Sequence, residues 1–180
     1  KSFCFNSHEF LPYVPRVIPK FDETLGHHVP VLKATGEPIK PGWPVIADSD
    51  STMFPKETRN GESWVKQYID YIAYVQKNHP QSFQFVSTHR EVRKALFDHK
   101  LPHIVVAPHK SLKDVYIKRY VDRGSPDAFV RLMEDKFEEF ADDCVKFMPS
   151  DSFGVVITDL TVFLKNILTS WNHAGNITQL

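Results

Sequence analysis

The chain is short of cysteine and glycine, balanced in charge and without a long apolar run, and each shortage excludes a class of protein. Only two cysteines, Cys4 and Cys144, occur in 180 residues, in no CxxC or Cys/His ligand spacing. Buried or free thiols in a reducing compartment are therefore expected, not a disulfide framework or a thiolate metal site. The seven glycines are isolated from one another and none belongs to a GxxxxGK[ST] stretch. These residues thus lack the usual backbone cradle for nucleotide phosphates. No apolar run approaches the roughly 20 residues of a membrane span, and no charged-then-apolar leader opens the chain, so no membrane partner is expected. A soluble, intracellular protein follows as the expectation. Basic and acidic side chains number 22 each, leaving a net charge of zero. Anion binding must come from local clusters, and a generic nucleic-acid binder with a basic, aromatic-studded stripe is disfavoured. The nine histidines share no ligand spacing and no HExxH pattern, so no metal site is expected from the protein alone. No GxSxG serine or catalytic cysteine context is visible either.

What is present is an ordinary globular composition, 42% hydrophobic and 24% charged, enough for a domain with a sizeable core. Eight of the 13 prolines lie at or before Pro55. Proline fixes φ and removes a donor, so long helices and central strands are not expected between residues 10 and 44. Residues 1–43 read as a proline-rich extended arm, suited to contacts with a protein partner through residues 10–44. Residues 44–180 read as an α/β domain. Strands are expected at 45–47, 82–87, 103–108 and 154–157. Helices are expected at 63–77, 89–100 (with Val92, Leu96 and Phe97 inward), 112–122 (with Leu112, Val115, Tyr116, Tyr120 and Val121 available to one face), from Ser125 as N-cap onward, and at 160–171. Alternation with short links predicts a parallel sheet flanked by helices.

Ligands of such sheets bind beyond the carboxyl ends of the strands. Here those ends read "DSDST", "STHR" and "APHK", all polar. Asp48 and Asp50 could hold Mg²⁺ through water or accept a proton from an attacking hydroxyl; a helix-capping turn explains them equally well. Arg90 and Arg93 open a helix beyond a strand end, where guanidinium groups and helix amides suit phosphate. Lys110 and Lys113 follow the third strand. Lys118, Arg119 and Arg123 end the next helix, where cations also merely complement its dipole.

Three blocks, "VIADSDST", "FQFVSTHREVRKAL" and "IVVAPHKSLKDVYIKRYVDRGSPDAFVRLMEDKF", together resemble phage-encoded P-loop kinases of the polynucleotide-kinase-like and nucleotide-kinase type over roughly residues 44–140. The resemblance implies a P-loop kinase-like fold and ATP- and Mg²⁺-dependent phosphoryl transfer. The acceptor would be a hydroxyl of a nucleotide, polynucleotide or modified DNA base. It assigns the general base to Asp48 or Asp50 and the lid arginines to Arg119 and Arg123. Acceptor contacts fall to Ser87, Thr88, Arg90 and Lys110. Such chemistry needs positioning and charge neutralisation more than covalent help. The glycine loop of that family is missing here. Lys1-Ser2 would be the last two residues of such a loop and would contact the cofactor. The alternative is a catalytically inactive kinase-like binding or structural protein, associated with the virion, using its N-terminal arm for assembly. The corresponding locations are the host cytoplasm and the virion.

Overall fold

A computed structural model of the chain describes residues 13–56, 63–87, 89–146 and 153–157. The expected helix at 160–171, and the residues Lys1, Ser2, Cys4 and Thr88, lie outside the described residues. The chain divides into two compact units, Lys1–Leu101 with Leu168–Leu180, and Pro102–Ile167.

The first unit is built on a four-stranded mixed sheet in the order β2-β1-β3-β4. β1 (Arg16–Asp22) and β2 (His27–Leu32) form an antiparallel hairpin. β3 (Ile46–Ser49) runs parallel to β1 and to β4 (Phe83–Val86). The protein is α/β, as expected, but the sheet is mixed and the proline-rich stretch is not simply an extended arm. Residues 16–32 supply half of the strands, and β1 lies inside the sheet.

Hydrogen-bond phase explains why the prolines do not prevent this. The Lys33 amide donates to Arg16 O at 2.9 Å, so alternate β1–β2 pairs are bonded, and the Pro19↔Pro30 pair falls on a non-bonded position. The ring nitrogens of both prolines therefore point away from the hairpin partner. On the outer side of Pro30 is a sheet edge, bridged among the described residues only at Val31↔Pro38. On the outer side of Pro19 the ladder to β3 has already ended, because it contains only Arg16↔Ile46 and Val17↔Ala47. Neither site asks for an N–H.

Between β3 and β4 runs α1 (Trp64–Asn78), capped by Ser63, whose hydroxyl accepts from the Lys66 amide at 3.2 Å. Its buried stripe, Tyr68, Ile69, Tyr71, Ile72 and Val75, packs with Val17, Val45, Ala47 and Phe54. This is the helical periodicity expected from the sequence. α2 (Arg90–Asp98) adds Val92 and Leu96 to the same core. Phe97, expected inward, is 57% exposed: one residue past Leu96 is a 100° rotation, which carries it off the buried stripe. The helix stops in a Schellman-type cap, with Leu101 N–H on Leu96 O and Lys100 N–H on Phe97 O. Lys100 occupies the left-handed position at φ 53° where glycine is usual.

The second unit pairs β5 (Ile104–Pro108) in parallel with β6 (Phe153–Ile157), in a sheet separate from the first. The single parallel sheet expected from the sequence is thus two sheets. A short 3₁₀ turn at Lys110–Leu112 leads into α3 (Lys113–Asp122), followed by α4 (Asp127–Lys146). The two helices meet through Tyr116–Phe137 and Tyr120–Phe129, with ring centroids 5.6 and 5.1 Å apart. Val121 of α3, expected to be available for packing, is largely exposed. Gly124, at φ 72°, closes α3 with the same cap geometry, Ser125 N–H reaching Tyr120 O. Ser125 was expected to cap α4. Its hydroxyl instead accepts from Arg123 Nε at 2.7 Å, and the helical bonding begins at Pro126 O, which accepts from the amides of Phe129 and Val130.

Candidate functional site at the carboxyl ends of β3 and β4

The two parallel strands end level with each other, Ser49 opposite Val86, so "DSDST" and "STHR" meet at one edge as the sequence predicts. Tyr68 of α1 ties the ends together. Its hydroxyl donates to Ser49 O and accepts from the Ser87 amide, the latter at 2.8 Å. Burial pushes the Tyr68 phenol up to about 12; bonds with Ser87 oppose this, and the charges of Asp50 and Asp48 add to it. The Tyr71 phenol is likewise raised, by burial first and by Asp48 second. Among the described residues the Tyr71 hydroxyl has no hydrogen-bond partner.

Asp50 is extended, at φ −73° and ψ 130°, and N-caps the 3₁₀ turn Ser51–Met53. Its Oδ1 accepts from Thr52 N at 3.0 Å and from Thr52 Oγ1 at 2.8 Å. Both expected roles therefore bear on one carboxylate: it caps, and it stands at the strand mouth. The turn is anchored by Phe54, which is buried against Tyr68 at 4.7 Å and His28 at 4.4 Å. Asp48 lies on the opposite face of β3 from Ser49, and its Oδ1 is buried. Ser49 is fully buried and its hydroxyl accepts from Gln84 Nε2 at 3.0 Å.

Ser87 links the two strand ends a second time, its hydroxyl accepting from the Ser51 amide at 3.2 Å. Ser51 Oγ in turn lies 3.1 Å from His89 Nε2. His89 is the N-cap residue of α2, yet its side chain makes no capping bond. Its ring meets Trp64 edge-on, at 86° and 6.2 Å. Arg90 is the first residue of α2, one position beyond His89.

Of the expected site residues, Asp48, Asp50, Ser87 and Arg90 belong to the first unit, and Asp48, Asp50 and Ser87 sit at this edge. Lys110, Arg119 and Arg123 belong to the second unit. There Lys110 faces Asp142 at 3.6 Å. Arg119 lies over Tyr116 at 5.2 Å, and Arg123 over Tyr120 at 4.7 Å and Phe129 at 5.8 Å. These are stacking positions for guanidinium groups. Burial raises the Tyr120 phenol, with Arg123 opposing. The third polar strand end, "APHK", begins its 3₁₀ turn with His109, whose Nδ1 lies 2.8 Å from Ser111 Oγ. It leaves a strand of the other sheet.

Tyr68, His89 and Ser51 are the residues of this edge that the sequence does not single out. Position beyond a strand end was the available signal for the latter two; nothing local marks Tyr68. Among the described residues no group of three or more histidine, cysteine, aspartate or glutamate side chains is placed to hold a metal, and no helix is long and apolar enough to cross a membrane.

Fold and edge together define an α/β protein with a hydroxyl- and carboxylate-lined mouth at the ends of two parallel strands. Compared with protein-family profiles, curated proteins and solved structures, the chain matches none.

Proposed function

We propose that the protein takes a nucleotide, polynucleotide end or modified DNA base over the carboxyl ends of β3 and β4 and transfers a phosphoryl group from ATP to its hydroxyl. The observation that carries this reading is the register of β3 and β4. It places Asp50, Ser51 and Ser87 at one edge, the location where open α/β sheets bind ligands. Asp50 or Asp48 takes the acceptor proton, while Ser87 and Arg90 contact the acceptor. Asp48 and Asp50 would hold a nucleotide-borne Mg²⁺, which needs only one or two carboxylates and would supply charge neutralisation at the phosphates.

The decisive substitution is Asp50→Asn. Asparagine caps a turn about as well as aspartate but cannot accept the proton. Transfer of labelled γ-phosphate is expected to fall by roughly 10²–10⁴-fold, with the unfolding midpoint nearly unchanged. Failure of ATP·Mg²⁺ to bind at millimolar concentration in calorimetry would sink the proposal.

A second reading is supported by two details: the Asp50 carboxylate is engaged by Thr52, and both lid arginines lie on tyrosine faces. In that reading the chain is a non-catalytic binding or structural protein, and its N-terminal segment makes the contacts. Leu25 at the hairpin tip and Trp43 are 58% and 60% exposed. Leu25→Asp with Trp43→Ala should then abolish assembly or partner binding on size-exclusion chromatography while leaving circular dichroism intact.

A further inference from the structure

Ser51 and His89 have the geometry of a nucleophile and its base, and no part of the phosphotransfer scheme uses them. Ser51 Oγ and His89 Nε2 are 3.1 Å apart, within the reach expected of such a pair. Both partners are held. Ser51 is fixed at its amide by Ser87 Oγ, and its carbonyl accepts from the Phe54 amide at 3.2 Å. Phe54 itself is 1% exposed, so the turn bearing the hydroxyl is pinned to the core. His89 heads α2, and the Trp64 ring stands perpendicular to its own. Its side chain spends nothing on capping the helix, although an N-cap residue normally does so. With the proton on Nδ1, Nε2 accepts from the Ser51 hydroxyl and can take its proton.

We propose that Ser51 is a covalent phosphoryl acceptor activated by His89, so that transfer at this edge proceeds through a phosphoserine. This rests on the reading of the β3–β4 edge as a phosphoryl-handling site. In the first step the Ser51 Oγ–P bond forms as the bond from phosphorus to the leaving oxygen breaks. The hydroxyl proton passes to His89 Nε2, and the leaving group departs as its anion. In the second step Asp50 or Asp48 takes the acceptor proton as the acceptor oxygen bonds to phosphorus and the Ser51 Oγ–P bond breaks, and His89 returns its proton to Ser51 Oγ. No oxidant or reductant is needed.

The test uses the full chain and a fluorophosphonate, which reports a histidine-activated serine without ATP or acceptor. Attack by Ser51 expels fluoride and leaves a stable adduct that peptide mass spectrometry can locate. Ser51 is expected to label far faster than exposed Ser63, and Ser51→Ala to remove the adduct. His89→Ala should slow labelling by roughly 10²–10⁴-fold, and added imidazole should restore much of the loss, which a merely structural defect would not allow. Circular dichroism of both variants checks that they fold. Labelling of Ser51 no faster than that of Ser63, or fast labelling that survives His89→Ala, overturns the proposal. A protein that labels at Ser51 but does not bind ATP·Mg²⁺ loses the phosphotransfer reading and keeps the nucleophile. One that transfers phosphate from ATP without labelling at Ser51 loses the nucleophile and keeps the phosphotransfer reading.

Discussion

Tyr68 is the residue on which the candidate site depends most, because one hydroxyl satisfies the backbone of two strands. Tyr68→Phe leaves the buried carbonyl of Ser49 and the amide of Ser87 without that partner, and should destabilise the protein by about 1–3 kcal/mol in urea unfolding. The same phenol makes stability sensitive to alkali. Burial pushes its pKa up to about 12 in the folded chain, against the ordinary 10.0 of a solvated phenol. The unfolded chain therefore releases the proton first, and the contribution is complete below about pH 10 and lost as pH rises towards 12. Thermal melts across that range should show a steep fall in Tm that Tyr68→Phe makes shallower. Neither property was legible in the sequence. Tyr68 sits at a core position of an amphipathic helix, and only the strands brought beneath it turn its hydroxyl into a tie. Asp50 was half legible: its spacing to Thr52 announces a cap, whereas its place at a shared strand edge depends on the register of β3 with β4.

At the scale of elements, helices were read well and their exact faces less well. Leu96 and Phe97 make the contrast measurable. Leu96→Ala removes a side chain 4% exposed and should cost about 2–5 kcal/mol, while Phe97→Ser at an exposed position should stay within about 0.5 kcal/mol. Equilibrium denaturation of the two variants separates them. The β1–β2 hairpin is hidden from a count of prolines, because hydrogen-bond phase decides where a strand admits them. Val17, fully buried between strand and helix, reports on it: Val17→Ala should lower stability by on the order of 2 kcal/mol. A true extended arm would tolerate that change. The two helix ends show the same limit. Gly124 advertises its left-handed cap, but Lys100 adopts one without any sequence signal; Leu101 packing against the core holds it there.

For the whole molecule, charge balance is the property with the plainest consequence. With 22 basic and 22 acidic residues, long-range attraction to phosphate backbones is absent, and random duplex DNA should bind more weakly than about 100 μM at 0.15 M salt. Fluorescence anisotropy checks this, and a micromolar affinity would show that a local basic cluster outweighs the balance. The sequence by itself determined the α/β class, the core strands and helices from 45 to 146, and the polar character of the strand ends, because these follow from local periodicity and from residues adjacent in the chain. The tertiary structure alone decided that prolines 19 and 30 are admitted to a sheet, that the strands divide between two sheets, and that Ser51, Ser87, His89 and Tyr68 form one hydrogen-bonded set. Each of those depends on strand order and register, which join residues some 20 to 40 positions apart (|i−j| of 38 for Ser51–His89 and 19 for Tyr68–Ser87). No local pattern encodes such pairings.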